Sequence, residues 1–247
     1  MKLSIITVVF NGVKTIDSCI SSVLIQDYPW TEYIIVDGNS TDGTREAILK
    51  YGDKISRFIS EPDHGIYDAM NKGIALATGD VIGILNADDF YPDPTILSDV
   101  IRSIQSTGAE ACYGDLEYVD GGNEKIVKRK WSAGNYKENS FLNGWMPPHP
   151  TFFLKKDCYS QRGDFRLDMG SAADYELMLR MIHKVGIKLT YIPKVLVKMR
   201  TGGVSNSNLK SRWQANRNDK KAWSINNLRP RFYTFLLKPL RKISQFI

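Results

Sequence analysis

The stretch Leu3-Ser-Ile-Ile-Thr-Val-Val-Phe10 is an apolar, β-branched run that ends at Asn11-Gly12, which is typical of a buried strand followed by a turn. A second run of this kind, Glu32-Tyr-Ile-Ile-Val-Asp37, ends at Gly38. The apolar residues between the two runs follow helical spacing, and a strand, a helix and a strand in this order predict a parallel βαβ unit. The helical positions are Ile16, Ile20, Val23 and Leu24.

The alternation of strand and helix continues to about residue 92. It predicts a helix from Ser40 or Thr41 to Tyr51, a strand over 54–60, a helix over 67–77 and a strand over 80–85. This order favours an α/β fold with a mostly parallel sheet and helices on both faces. Farther along, the pattern indicates helices over 95–106 and 172–184, and strands over 110–119, 125–131, 149–155, 188–192 and 195–199.

Composition excludes several classes of protein. With 247 residues, 43% hydrophobic and 24% charged, the chain is typical of a soluble globular protein rather than a disordered or collagen-like one. Its three cysteines, Cys19, Cys112 and Cys158, form neither a zinc-ribbon pattern nor a disulfide framework. No Gly-x-Gly-x-x-Gly motif follows the first strand, which argues against a nicotinamide-dependent oxidoreductase.

The net charge of +6 is unevenly distributed along the chain. Residues 210–247 hold ten Lys or Arg and one acid, or +9, which leaves −3 for residues 1–209. Because the basic residues concentrate in this tail and the body is slightly acidic, we expect no nucleic-acid partner.

Candidate site residues follow the strands, because ligands of open α/β sheets bind beyond the carboxyl ends of the strands. Asp37 begins the segment Asp37-Gly-Asn-Ser-Thr-Asp-Gly-Thr44, which is either a binding turn or an Asx-rich turn that caps a helix. Asn86-Ala-Asp-Asp89 follows the strand over 80–85. Its two adjacent acids either hold a hard divalent cation or lie at the start of a helix.

Three further segments carry polar residues in positions that suit a site. The acids between Glu61 and Gly73 either cap the next helix or close over a ligand. Asp174 is predicted on the inward side of the helix over 172–184, with Glu176 and Arg180 on the solvent side, so Asp174 faces a cavity or interacts with the helix dipole. His149 is either a site residue or a polar group at a strand end.

Four motifs occur in an order that resembles family 2 glycosyltransferases of the GT-A fold, over roughly residues 2–205. They are Ser4-Ile-Ile-Thr-Val-Val-Phe-Asn11, Ile34-Ile-Val-Asp-Gly-Asn-Ser-Thr-Asp-Gly-Thr44, Leu85-Asn-Ala-Asp-Asp89, and Ala173-Asp174 ahead of Arg180. The stretch Ser60-Glu-Pro-Asp-His-Gly-Ile-Tyr-Asp-Ala-Met-Asn-Lys-Gly73 resembles a bacterial subgroup of surface-polysaccharide synthesis that includes colanic-acid-type transferases.

The resemblance implies a GT-A (Rossmann-like) sheet with a nucleotide-sugar-binding half at 1–115, a smaller mixed acceptor-binding half with the catalytic base at 116–205, and a basic helical tail at 206–247. It implies inverting transfer of a sugar from a nucleotide-diphosphate sugar, with a UDP-sugar favoured, to a hydroxyl of a glycan or polyprenyl-linked glycan in bacterial polysaccharide synthesis. The alternative is a nucleotide-binding protein of the same fold with weak or no transferase activity.

The resemblance also implies a role for each site residue. The acid at Asp37 would bond the nucleotide base, Asp88 would hold Mg²⁺ or Mn²⁺ against the diphosphate, and Asp174 would deprotonate the acceptor hydroxyl. The other nucleotide-sugar candidates are Thr7 and Val9, by their main chain, and Asn11, Asp63, Asn71, Asn86 and Ala87. The acceptor-side candidates are His149 and Arg180.

The sequence departs from the family pattern at two positions. Asn86 replaces the first acid of the metal-binding motif, and Ala173 replaces the Glu that usually precedes the base. An amide at 86 can still bond a ribose, but one fewer charge weakens the attraction for a metal ion. Asp168 is the nearest upstream acid and therefore a rival to Asp174 as the base.

The C-terminal tail combines apolar and basic residues at helical spacing. The apolar positions near one face are Phe232, Phe235, Leu236, Leu240 and Ile243, and the cationic positions beside them are Arg231, Lys238, Arg241 and Lys242. Pro239 is expected to kink or split this helix. Such a tail either binds an anionic membrane surface or packs on the body with a solvated basic face. Together with the resemblance, it predicts a cytoplasmic protein at the inner face of the plasma membrane.

Overall fold

The computed structural model describes residues 1–202, 209–243 and 245. The strands in this part of the chain are β1 Leu3–Val9, β2 Thr31–Asp37, β3 Arg57–Ser60, β4 Val81–Asn86, β5 Asp89–Phe90, β6 Ala111–Val119, β7 Val127–Trp131, β8 Phe153–Lys155 and β9 Leu189–Arg200. The helices are α1 Ile16–Leu24, α2 Thr44–Leu49, α3 Ile66–Leu76, α4 Ile96–Thr107, α5 Lys156–Arg162, α6 Ala173–Met178, α7 Leu209–Ile225 and α8 Thr234–Ile243. Short 3₁₀ turns lie at Gly52–Lys54, Ser140–Asn143, His149–Thr151 and Leu167–Ala172, and a π-helix at Leu179–Val185.

The described strands form one sheet in the order β3-β2-β1-β4-β8-β6-β9-β5, with β7 paired to β6. The strands β3, β2, β1 and β4 are parallel, and β1 is hydrogen-bonded to β2 on one edge and to β4 on the other. Strand β8 is antiparallel to both β4 and β6, so the sheet becomes mixed beyond β4. This topology confirms the predicted α/β class with a largely parallel first half.

Apolar cores cover both faces of the sheet. Strand β1 shows why, because its successive residues Ile5 and Ile6 are fully buried on opposite faces. Helices α1, α2 and α4 pack with Ile5 on one face, and α3, α6 and α7 pack with Ile6 on the other. The prediction of helices on both faces is therefore confirmed.

Four elements predicted in the second half of the chain differ from the structure. The strands expected over 188–192 and 195–199 are the single strand β9, whose register with β6 shifts next to Pro193, a residue without an N–H to donate. The strand expected over 149–155 begins only at Phe153, after a 3₁₀ turn. The helix expected over 172–184 is α6 followed directly by the π-helix.

None of the helices in residues 1–202 and 209–243 combines the length and the apolar character that a membrane span requires.

A buried carboxylate connects the amino ends of three neighbouring strands. Glu32 of β2 accepts hydrogen bonds from the Ser4 hydroxyl of β1 (2.6 Å) and from the backbone N–H (2.7 Å) and hydroxyl (2.7 Å) of Thr78, which precedes β4. Lys2 adds an ammonium group 3.1 Å away. Burial alone would raise the pKa of Glu32, but the hydrogen bonds from Ser4, Thr78 and Lys2 outweigh it and lower the pKa to about 2.

We expect Glu32→Gln to lower the free energy of unfolding at pH 7 by on the order of 2 kcal/mol, allowing for screening near the strand ends. The folded-state pKa lies below the ordinary value of 4.5, so the contribution is complete above that pH and is lost as the pH falls toward 2. Urea unfolding at pH 7 and pH 3 tests this, with the exposed Glu46→Gln as control. An equal loss at both pH values would contradict it.

Candidate active site

The loops that follow β1 and β2 are hydrogen-bonded to each other. The backbone N–H of Asn11 donates to the Ser40 hydroxyl (2.7 Å), and the Asn11 side-chain oxygen accepts from the N–H of Thr41 (2.9 Å). The N–H of Gly12 donates to the hydroxyl of Thr44 (2.9 Å), the residue at which α2 begins. Ser40 and Thr41 therefore bridge two loops, and the helix starts later than predicted.

The carboxylate of Asp37 is fully buried at the end of β2. It accepts hydrogen bonds from the backbone N–H of Ser40 (3.0 Å), the hydroxyl of Ser60 (2.6 Å) and the hydroxyl of Ser40. Both of its oxygens are thus engaged within the protein. This geometry fixes the turn after β2 and attaches β3 to it.

Asp63 presents a second carboxylate at the same edge, directly above Gly38. A Cβ at position 38 would overlap Oδ2 of Asp63, so any larger residue there would displace this carboxylate from its present place. Oδ1 of Asp63 accepts from the backbone N–H of Gly65 (2.8 Å). No hydrogen bond to Oδ2 is found among the described residues. Asp63 therefore retains an accepting oxygen where Asp37 has none.

Three other predicted nucleotide-sugar residues have internal partners. The Thr7 hydroxyl is buried 3.0 Å from the Tyr33 hydroxyl, and the carbonyl of Val9 accepts from the N–H of Gly38 (2.8 Å). Asn71 bonds the carbonyl (2.9 Å) and the N–H (3.0 Å) of Phe165. Asn71 therefore positions the segment before residue 167, and Val9 packs at the edge where the two loops meet.

Oxygen atoms without partners mark the end of β4. Oδ1 of Asn86 and Oδ1 of Asp89 are buried and receive no hydrogen bond within the described chain, while the Asn86 amide nitrogen donates to Oδ2 of Asp89 (3.3 Å). Burial, and then the neighbouring charge of Asp88, raise the pKa of Asp89 well above its ordinary value. Ala87 is buried between them and donates its N–H to the carbonyl of Val8 (3.3 Å).

The carboxylate of Asp88 has no hydrogen-bond or ion-pair partner among the described residues, whereas its main chain is fixed. Its carbonyl accepts from Nη1 of Arg200 at 2.7 Å, at the end of β9. Arg200 also donates to the hydroxyl of Ser18 (2.7 Å) and pairs with Glu124. The arginine thus positions the loop that carries Asp88 while its own charge is partly neutralised.

This oxygen-rich end of β4 fits a hard divalent cation, for which carboxylate and amide oxygens are suitable ligands. No three His, Cys, Asp or Glu side chains in residues 1–202 and 209–243 converge on one point as a metal cage. A cation bound through one carboxylate takes its remaining ligands from water and substrate phosphates, as Mg²⁺ commonly does. A donor set of this kind suits a cation that shares its coordination with water and a phosphate-containing ligand.

Asp174 lies on the first turn of α6 and interacts with two residues from distant parts of the chain. Its Oδ1 accepts from the Tyr67 hydroxyl (3.3 Å), and its Oδ2 lies 3.2 Å from Nδ1 of His149. Burial, followed by the charge of Asp174, raises the pKa of Tyr67, so its hydroxyl remains a donor. The side chain of Asp174 is 16% exposed and that of His149 is 33% exposed.

A small cavity adjoins this carboxylate. Asp174 and His149 are its polar lining residues, and the others are Met70, Ile84, Phe152, Tyr159, Phe165, Leu177 and Met178. The pKa of Tyr118 is raised by burial, is lowered by Arg129, and is further raised by the charges of Asp89 and Asp174. Tyr118 therefore lies within electrostatic range of both Asp89, which follows β4, and Asp174, at the start of α6.

Asp168, the rival acid, does not share this environment. Its carboxylate is half exposed and pairs with Arg166 (3.0 Å) and Lys221 (3.1 Å). Hydrogen bonds from Arg166 and then from Lys221 lower its pKa to about 2. A carboxylate stabilised in this way is a weak proton acceptor.

Two expectations about α6 and the π-helix are wrong. Glu176, predicted on the solvent side, is 1% exposed because Asn226, the residue after α7, covers it. Nδ2 of Asn226 donates to Oε1 of Glu176 (2.9 Å). Arg180, also predicted on the solvent side, has a side chain that is 12% exposed and bonds Glu176 (2.9 Å) and the carbonyls of 162–164. Its charge compensates a buried carboxylate, and its bonds are to structural groups rather than to Asp174.

Comparisons with solved structures support the fold. S. aureus TarS 1–349 in complex with UDP-GlcNAc superimposes with a TM-score of 0.72 and 17% identity, over 99% of this chain and 73% of that one. The mannosyltransferase PcManGT from Pyrobaculum calidifontis, in complex with GDP-Man and Mn²⁺, gives a TM-score of 0.68 and 18% identity, over 98% and 72%. The expected GT-A fold is thereby confirmed.

Comparisons of sequence establish the family. A glycosyltransferase of Mycobacterium tuberculosis is 30% identical over 182 residues, 72% of this chain and 68% of its own length. A PGL/p-HBAD biosynthesis glycosyltransferase of Mycobacterium bovis BCG is 25% identical over 209 residues, 83% and 79% of the two chains. These relatives are mycobacterial and not specifically colanic-acid transferases. Residues 4–156 match the family model "Glycosyl transferase family 2", and the chain therefore belongs to that family.

Proposed function

We propose that this protein transfers a sugar, with inversion at the anomeric carbon, from a nucleoside-diphosphate sugar to a hydroxyl group of a glycan or lipid-linked glycan in bacterial polysaccharide synthesis. The observation that carries the proposal is the Asp174 carboxylate, oriented by Tyr67 and His149 beside a cavity. The unpartnered Asp88 supports it from the end of β4.

The proposed donor site follows from the acceptors that remain open after β3 and β4, which are Asp63 and Asp88. The free oxygen of Asp63 suits an N–H on the edge of a base, as uracil and guanine both present, whereas cytosine has an acceptor at that ring position. TarS and PcManGT are solved with UDP-GlcNAc and GDP-Man. We favour a UDP-sugar as the donor. In this proposal Asp63 accepts the hydrogen bond from the base, and Asp37 fixes the turn after β2.

Asp88 would hold Mg²⁺ or Mn²⁺ with the donor phosphates, and the Asn86 amide oxygen lies at the same strand end. Such a cation supplies Lewis-acid stabilisation of the charge that develops on the leaving diphosphate. Arg200 contributes by holding the backbone of Asp88 in place. With Asn86 in place of a carboxylate, this site carries one negative charge fewer.

The acceptor hydroxyl loses its proton to Asp174 as its oxygen attacks the anomeric carbon. Tyr67 and His149 each contact a different oxygen of Asp174 and so restrict the rotation of the carboxylate. The nucleoside diphosphate leaves from the face opposite the attack, so one displacement inverts the configuration. No covalent intermediate is needed.

A nucleotide-binding protein of the same fold, with weak or no transferase activity, is the second candidate. The observation that favours it is the pair of departures from the family pattern, Asn86 and Ala173. A thermal-shift screen of UDP-, GDP- and dTDP-sugars with and without Mn²⁺, followed by measurement of released nucleoside diphosphate, distinguishes the two. Binding without turnover in the presence of glycan and lipid-linked acceptors supports the second candidate.

We expect Asp63→Asn to weaken UDP binding about 10- to 100-fold, since a hydrogen bond to a charged group contributes roughly 1.5–3 kcal/mol. The ratio of UDP affinity to CDP affinity should also fall, because the amide of Asn offers both a hydrogen-bond donor and an acceptor to the base. Calorimetric titration measures both, with the nearby Glu61→Gln as control. If the affinity for UDP and the preference for UDP over CDP were unchanged, another group would have to bind the base.

We expect Asp88→Ala to reduce nucleotide affinity in Mn²⁺ to the value that the unaltered protein shows in EDTA. Without the carboxylate, the cation has no charged protein ligand beside the phosphates. Calorimetry with UDP in Mn²⁺ and in EDTA tests this, and Asp53→Ala, an exposed acid in the turn Gly52–Lys54, is the control. Equal binding by the unaltered protein in both buffers would refute the metal assignment.

We expect Asp174→Asn to lower turnover by ~10²–10⁴-fold with nearly unchanged donor affinity, because proton transfer matters in the transition state. Asp168→Asn is the matched control and should have a small effect, since that carboxylate is held by Arg166 and Lys221. Steady-state release of nucleoside diphosphate and donor titration measure the two quantities. Turnover near normal in Asp174→Asn would exclude this residue as the base.

A further inference from the structure

The C-terminal helix α8 is attached to the body by its inward side. The Thr234 hydroxyl donates to the carbonyl of Leu142 (2.7 Å), and Nε of Arg241 donates to the carbonyl of Asn143 (2.8 Å). At Gly144, where φ is +72°, a Cβ would lie 2.5 Å from the backbone nitrogen of Lys238. The helix backbone therefore rests directly on the turn at 140–144.

Lys238 turns inward from the same helix. Its ammonium group lies 2.6 Å from Asp219 of α7 and 3.7 Å from the centre of the Tyr175 ring. Tyr175 is buried and adjacent in sequence to Asp174. These contacts fix the orientation of α8 relative to α6, the helix that carries the proposed base.

The outward side of this tail is apolar. Phe232 is 90% exposed, Leu236 is 64% exposed and Leu240 is 55% exposed, at intervals of four residues. We call these three residues the apolar stripe. Phe235, expected among them, is instead half-buried against the core, and the side chain of Ile243 lies outside the described residues. One helix spans Pro239, which is also exposed.

Basic residues surround the apolar stripe without acidic ones. Arg229, Arg231 and Lys242 are all exposed. The sequence contains no Asp or Glu after Asp219, which is buried and paired with Lys238. The outward side of the tail thus combines exposed apolar groups with positive charge only.

We propose that the apolar stripe and its basic border form a docking surface for an anionic lipid bilayer. Three large apolar side chains in a row can enter the headgroup region, while flanking Arg and Lys remain at the level of the lipid phosphates. Each basic group near such a surface adds attraction that salt weakens. On this proposal the two sequence interpretations of the tail are compatible, since a helix that packs on the body still presents a surface that can bind a membrane.

A second copy of the chain fits the stripe less well. Antiparallel pairing of two tails would bring their exposed basic residues together, and the sequence after Asp219 contributes no acid to such an interface. A bilayer with anionic headgroups complements the same charges. The proposal does not depend on the proposed enzymatic function, and it adds that α6 is held at a defined orientation to the lipid surface.

The test is co-sedimentation of the full chain with vesicles of phosphatidylcholine containing phosphatidylglycerol. The proposal expects binding that falls with added salt and that drops at least tenfold in a triple variant with Phe232→Ser, Leu236→Ser and Leu240→Ser. The matched control is Ile25→Ser, Trp30→Ser and Leu49→Ser, which alters residues that are 61%, 70% and 62% exposed on the other half of the protein. Control and unaltered protein should bind alike.

A fluorescent label gives a second measurement that requires no loss of apolar residues. The three native cysteines are buried, so Leu240→Cys carries the accessible thiol, and a polarity-sensitive dye there should shift to the blue on anionic vesicles. The same dye at Leu49→Cys should not shift. The proposal would be overturned if the unaltered chain did not bind the vesicles, or if the triple variant bound them equally well. It would also be overturned if the dye at position 240 did not shift, or if the apolar stripe caused self-association without vesicle binding.

Discussion

Strand β1 sets the constraint on which the rest of the molecule depends. It is buried on both faces, and its two edges are saturated by parallel neighbours β2 and β4. Since parallel strands end at the same edge, the segments after β1, β2 and β4 have to meet there. The bonds of Asn11 and Gly12 to Ser40, Thr41 and Thr44 follow directly from this meeting, as does the placement of the acids after β4.

The parallel first half of the sheet could be predicted from the sequence because its strands and turns are marked by short local patterns. β-Branched runs mark strands, and the acids that follow them lie at one edge whatever the details of packing. The difference between Asp37, whose oxygens are engaged within the protein, and Asp63, which retains an accepting oxygen, was not predictable in the same way. It depends on whether a hydroxyl from β3 reaches Asp37 and on the space above Gly38, and both depend on tertiary structure.

The second half was harder to predict for a related reason. Asp174 was singled out from its place on a helix, but its partners Tyr67 and His149 are 107 and 25 positions away, and no periodicity links them. Helical periodicity also misplaced Glu176 and Arg180, since Asn226, which covers Glu176, lies 50 positions farther along the chain. The available signal in the sequence was a Glu followed four residues later by an Arg, and such pairs also stabilise exposed helices.

The close approach of Asp63 to Gly38 links two positions that are 25 residues apart. A side chain at 38 would occupy the volume of the Asp63 carboxylate, so a larger residue at 38 would move that carboxylate away from its present place. An acid placed at 38 itself would enter the same space from the other direction. We therefore expect the two positions to vary together in relatives, and a redesign of the base-binding group proposed at 63 has to consider position 38 as well.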